Sequence, residues 1–187
     1  MKKKNIIIIS VIVIAVIIGS VFYFCDPLEF LNSFDIPKNK GEILFCYYEA
    51  DLGAKNRSYY VITVGGDAKL YTADYPVKYE ELCEWNKEGS VLYNNEPTAE
   101  ILEKAQKINP NKYRTPLFNE KNEIANPESI YYIVQNTGAG FQMKSVKIVV
   151  YNGGLGVEPR IEKKCKSKYT DAICEYIDEM VSRCKNI

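Results

Sequence analysis

The sequence predicts an α+β fold: an N-terminal transmembrane helix followed by a small domain with an antiparallel sheet of about five strands and two or three helices packed on one face. Three observations carry that expectation. An uncharged run opens the chain, short apolar segments rich in Tyr, Val and Ile then come in groups, and segments with apolar residues spaced by three and four separate or follow those groups. Strands that cluster, rather than alternating strictly with helices, point to an antiparallel sheet with its helices segregated.

Lys2, Lys3 and Lys4 precede Ile6 to Phe24, a 19-residue run with no charged residue and only Ser10, Gly19 and Ser20 as small or weakly polar interruptions. At about 1.5 Å per residue the run reaches roughly 28 Å as a helix, close to the thickness of a bilayer's hydrocarbon core. Three lysines before it, against Asp26 and Glu29 after it, place the N-terminus in the cytoplasm and the rest on the far side of the cell membrane. The expected organisation is a cytoplasmic stub at 1–4, a single-pass signal-anchor at 5–24, a linker at 25–41 and one extracytoplasmic domain at 42–187. A cleaved signal peptide fits less well, because its apolar core is about 7–15 residues and the best small pair here is Ile18-Gly19-Ser20. Lipidation of Cys25 fits less well too, since Phe22, Tyr23 and Phe24 precede it.

Pro27, Asn32, Pro37 and Asn39, with Gly41 beyond, give the linker no sustained periodicity. Strands are expected at Glu42 to Ala50, Ser58 to Val64 and Ala68 to Tyr75. Gly65-Gly66-Asp67 forms a hairpin turn between the last two, because glycine reaches positive φ without strain. Lys78 to Glu88, with Leu82 and Trp85, and Pro97 to Ile108, with Pro in its first turn and Ile101, Leu102, Ala105 and Ile108 on one side, read as helices. Asn109 to Pro127 reads as a long loop. Strands follow at Ser129 to Gln135 and Lys144 to Tyr151, the latter with Val146, Ile148 and Val150 on one face. Tyr169 to Cys184 is the clearest helix, with Tyr169, Ile173, Tyr176, Ile177, Met180, Val181 and Cys184 in register and Ser167 or Thr170 to cap it.

Composition bounds the function. Of 24 basic residues three lie before the apolar run and all 24 acidic ones after it, so the part beyond the run carries about −3. A net-acidic domain with no Lys/Arg cluster argues against a nucleic-acid partner. With no histidine in the chain, Ser-His-Asp and Cys-His catalysis are excluded in their usual form. Six cysteines, Cys25, Cys46, Cys83, Cys165, Cys174 and Cys184, show no C-x-x-C spacing and no compact metal-ligand set. They fit buried thiols or disulfides equally well, although Cys174 and Cys184, nearly three helical turns apart, are out of reach of each other. Gly153-Gly154-Leu155-Gly156 follows a strand but leads into Val157-Glu158-Pro159, so the dinucleotide fingerprint is not met. No cofactor, metal or catalytic residue is therefore assigned. Glu80, Glu81 and Glu84 beside Trp85, and Asp51 and Asp74, are the carboxylates a hydrolase would draw on, but adjacent acids on an amphipathic helix more often form its solvated face.

The remaining feature is a set of tyrosine pairs, Tyr47 and Tyr48, Tyr59 and Tyr60, and Tyr131 and Tyr132. Neighbouring residues of a strand point to opposite faces, so a helix covering one face leaves one ring of each pair on the other. If that face is open, the rings form a candidate binding face; if it is covered, they are packing. The expected function is a non-catalytic binding module for a protein or cell-envelope polymer. The competing classes are an envelope enzyme using carboxylates for glycan hydrolysis and a tethered inhibitor or immunity-type protein. The binding class predicts a shallow tyrosine-lined face, and the enzyme class a cleft in which ionisable groups converge.

Overall fold

Ile43–Glu49, β1, is apolar at every position before its last, and every one of those side chains is buried. A continuous apolar run of this length is the mark of a strand covered on both faces. The computed structural model describes residues 10, 12–20, 33–50, 57–110, 113–114, 127–136, 138–151 and 160–187. In it β1 lies at the middle of one sheet. β2 (Arg57–Thr63) and β3 (Asp67–Ala73) extend the sheet on one side, ending in the two-residue β4 (Tyr93–Asn94). On the other side come β6 (Pro127–Asn136), β7 (Phe141–Tyr151) and β8 (Arg160–Cys165), ending in the two-residue β5 (Tyr113–Arg114). The strand order is β4-β3-β2-β1-β6-β7-β8-β5, and every pairing is antiparallel.

Helices cover both faces. One face is packed by α3 (Ala99–Lys107) and α4 (Thr170–Lys185), whose Ile173, Ile177, Met180 and Val181 meet Phe45, Ile62, Ile133 and Val146. The opposite face is packed by α2 (Tyr79–Glu88), where Leu82 and Trp85 join Ile43, Cys46, Val61, Ile130 and Val134. The expected sheet of about five strands with helices on one face is thus replaced by an eight-stranded sheet sandwiched between helices. Two of the additional strands are two-residue edges, too short to leave a periodic trace in sequence.

The expected membrane-spanning helix is also overturned. Among the described residues no helix is long and apolar enough to cross a membrane. Of the run from Ile6 to Phe24, Ser10 and residues 12–20 (α1) are described as helical. Nine consecutive residues reach only ~14 Å, about half of a hydrocarbon core. Lys2 to Lys4, Cys25, Asp51, Gly153 to Gly156 and nearly all of the loop from Asn109 to Pro127 lie outside the described residues.

Two bulges set which side chains share a face. In β1 the register shifts between Ile43 and Phe45, so that Leu44 and Phe45 both enter the α4 side while Ile43 and Cys46 enter the α2 side. In β7 the partner of Tyr131 is Lys147 and that of Tyr132 is Ser145, which leaves Val146 as the extra residue. Val146 therefore packs on the α4 side and Ile148 on the α2 side, correcting the expectation that they share one face. The Gly65-Gly66 turn falls where the sequence placed it. Gly66 has φ +83°, its amide donates to the Thr63 carbonyl at 3.0 Å, and a Cβ there would lie 2.4 Å from the Asn95 backbone. α3 is capped by Thr98, which accepts from the Ile101 amide, so Pro97 precedes the cap rather than sitting in the first turn.

Candidate functional site

Strand alternation divides the six tyrosines into two rows. Tyr48, Tyr59 and Tyr132 lie on the α2 side, and Tyr47, Tyr60 and Tyr131 on the α4 side. In the α2-side row Tyr48 and Tyr59 are sealed, each 1% exposed, and Tyr132 is half-buried. Ring centres run from Tyr75 to Tyr48 (4.8 Å), to Tyr59 (5.2 Å), to Tyr71 (6.4 Å) and to Trp85 (4.9 Å). The face that α4 leaves uncovered is thus covered by α2 and by these rings, and its Tyr48 and Tyr59 are core.

The α4-side row has a different surrounding. Antiparallel register places Tyr47 between Tyr60 of β2 and Tyr131 of β6, with ring centres 6.1 and 4.9 Å apart. Two residues further along each strand, on the same face, the register aligns Ser58, Glu49 and Ser129. A row of three rings is followed by a row of three polar side chains. α4 covers the rings and ends at Lys185, leaving the polar row without a helix above it. The result is a cleft of about 450 Å³ lined by Tyr47, Tyr60, Glu49, Ser58, Glu128 and Ser129, with Ala50 at its end.

Hydroxyl groups in and beside the cleft have fixed partners. Tyr47 bonds to Ser129, and the Tyr131 hydroxyl donates to Asp178 of α4 at 2.7 Å. Burial raises the Tyr47 hydroxyl from its ordinary value of 10.0 to about 12, with the negative charges of Glu49, Asp178 and Glu128 pushing the same way and the Ser129 bond opposing. Tyr60 is raised by burial and then by Glu49. Tyr131 is raised by burial and then by its bond to Asp178. These rings are therefore neutral hydrogen-bonding groups at ordinary pH. Two cations border the row: Lys147 Nζ stands 5.2 Å from the Tyr131 ring centre, and Lys185 Nζ stands 5.7 Å from that of Tyr60 and 2.6 Å from Glu49 Oε2.

Sequence reasoning singled out Tyr47, Tyr60 and Tyr131 but not Glu49, Ser58, Glu128, Ser129 or Lys185. The available signal was a polar residue two positions from a tyrosine, repeated in Tyr47/Glu49, Ser58/Tyr60 and Ser129/Tyr131. Glu80, Glu81, Glu84 and Asp74 are exposed to solvent and lie outside the cleft. Cys46, Cys174 and Cys184 are buried free thiols, Cys165 is buried, and Cys83 is half-buried. Burial pushes up the thiols of Cys46, Cys83, Cys184 and Cys174, the last to about 12, which disfavours the nucleophilic thiolate. Among the described residues no three His, Cys, Asp or Glu side chains are grouped to hold a metal ion. Compared with known proteins, the chain matches no family model, no curated protein and no solved structure.

Proposed function

We propose that this domain is a non-catalytic binding module that engages a protein partner through the cleft at the end of β1, β2 and β6. The observation that supports the reading is the make-up of the cleft: neutral tyrosine rings beside two carboxylates and two serines, in a volume of about 450 Å³. Tyrosine offers apolar area and a hydroxyl together, and aromatic side chains are enriched where protein partners meet. Among the described residues four of the five thiols are buried in the core and burial raises the half-buried Cys83 as well, and the chain has no histidine to activate a serine.

The test is affinity capture with the full chain as bait, run beside Ser58→Trp, which fills the cleft from a half-buried position. A protein retained by the native chain and lost from the variant, with an unchanged thermal transition, is the expected result. Equal retention by both overturns the reading. Glu49 and Glu128 lining one cleft also favour a second reading, carboxylate-assisted hydrolysis of a glycan. The two separate on Glu128→Gln assayed with oligosaccharides: loss of turnover belongs to the enzyme, whereas no turnover by the native chain leaves the binding module.

A further inference from the structure

We infer that the open edge of β3 is an interface for a second copy of this chain, the two β3 strands pairing antiparallel about a two-fold axis at Tyr71 so that one sheet runs across both copies.

The backbone fixes which groups are on offer. Successive peptide groups of a strand point alternately toward its two neighbours. The Asn95 amide donates to the Gly66 carbonyl at 3.0 Å and the Leu92 amide to the Ala68 carbonyl at 2.9 Å, so the even-numbered positions of this stretch face away from β2. β4 pairs only with Asp67 and Ala68 and goes no further along the edge. The amides and carbonyls of Leu70 and Thr72 therefore face outward with no hydrogen-bond partner among the described residues.

The free window is bounded at both ends. Leu92 stands against Ala68, and β3 ends at Ala73, which leaves residues 69–73 with Tyr71 at their centre. That symmetry selects the occupant. A second copy turned about a two-fold at Tyr71 sets its Thr72 opposite Leu70 and its Leu70 opposite Thr72, and every outward amide and carbonyl of the window then meets its complement.

The side chains around the window agree. Leu70, Tyr75, Val91 and Leu92 are 36–48% exposed, and outside α1 the only other large apolar side chain so exposed among the described residues is Ile187. Four of these five thus gather at β3 and at the segment that leads into β4. The opposite edge of the sheet is built differently: β8 carries Arg160, Glu162, Lys163 and Lys164, and β5 pairs with its end. Charge along an edge, lysine above all, is how sheet proteins prevent pairing between molecules. The β3 window holds one charge, Lys69, and that side chain is buried with its ammonium on the Asn86 carbonyl of α2.

Sedimentation equilibrium of the full chain over about a hundredfold range of concentration should show monomer and dimer in exchange. Thr72→Pro deletes an outward amide and leaves the ladder to β2 whole, so it should raise the dimer dissociation constant about tenfold or more with an unchanged thermal transition. Leu70→Lys sets an ammonium from each copy on one face of the joint and should act in the same direction. Being a change at an exposed side chain, it also decides the matter should Thr72→Pro fail to fold. Register is read by mixing Leu70→Cys chains with Thr72→Cys chains under mild oxidation. Directly opposed residues have Cα atoms about 5.5 Å apart, within disulfide reach, so peptide mapping should find the 70–72 link in excess over 70–70 and 72–72 links. A monomer at every concentration, or absence of the 70–72 link, overturns the inference. So does association that the folded variants leave unchanged, as pairing through the exposed apolar side chains of α1 would be.

Discussion

The tyrosines on the α4 side of the sheet run out into an acidic cleft, whereas their immediate neighbours in sequence, on the α2 side, end in a closed stack of rings. The residue type is the same and so are the three strands. The difference lies in the covering elements. α4 stops at Lys185, one polar row short of the end of the strands, while on the other face Tyr75, Val77 and α2 close over Tyr48 and Tyr59. Composition therefore does not decide whether a tyrosine borders a cleft or is sealed inside the core. The extent of the helix above it does.

That contrast can be broken most forcefully by hollowing each side in turn. Ile177 of α4 and Leu82 of α2 are both wholly buried. Ile177→Ala should cost about 4 kcal/mol in urea unfolding, and Leu82→Ala about 2–3 kcal/mol, because the shorter α2 can settle toward the sheet and partly fill the space. Equal losses would mean that the two faces are equally rigid.

Alkaline titration sharpens the same comparison. Tyrosines of both faces have folded-state values raised above their ordinary 10.0, chiefly by burial. A group raised on folding contributes stability that is fully present below its unfolded value and is lost as pH rises through its folded value. Stability should hold up to about pH 10 and then fall toward pH 12, the region to which Tyr47 is raised. Each such tyrosine adds up to about 1.4 kcal/mol per pH unit to the slope. Tyr47 is raised to about 12 and Tyr59 higher still, so Tyr47→Phe should remove tyrosinate absorbance near pH 12 that Tyr59→Phe leaves in place.

Smaller effects are expected from single polar contacts. Tyr131→Phe removes the hydrogen bond to Asp178 and should cost about 1 kcal/mol. Thr98→Ala removes the cap of α3 and should cost about 0.5–1 kcal/mol, read as a small drop in thermal midpoint without change in the cleft resonances. A larger loss would place α3 among the elements that shape the cleft.

Much of this organisation was legible in the residues. The hairpin turn at Gly65-Gly66, the three helices after it and the main strands all follow from local pattern, because each is decided by neighbours within a few positions. The second covered face was legible in principle: β1 reads Ile-Leu-Phe-Cys-Tyr-Tyr without alternation, which a strand open on one side does not require. The apolar opening run misled because hydropathy alone registers a span, while the described helical residues fall short of one. The cleft was hardest to foresee. It exists only because register brings Ser58, Glu49 and Ser129 into one row from three strands, two of them bulged, and because α4 ends where it does. Such alignments depend on pairings between residues about 80 positions apart, which no local window contains.

The central place of β1 has a consequence for how the molecule comes into being on the ribosome. Its partner β2 follows within a few residues, but its other partner β6 is made only after β2, β3, α2, β4, α3 and β5. Until then one hydrogen-bonding edge of the most apolar strand in the domain has nothing to pair with. An exposed apolar edge is a template for intermolecular pairing, and closing so long a stretch of chain is slow. Truncation anywhere before Pro127 should therefore yield aggregates rather than a folded half, and the speed with which the second half of the chain is delivered becomes a determinant of yield.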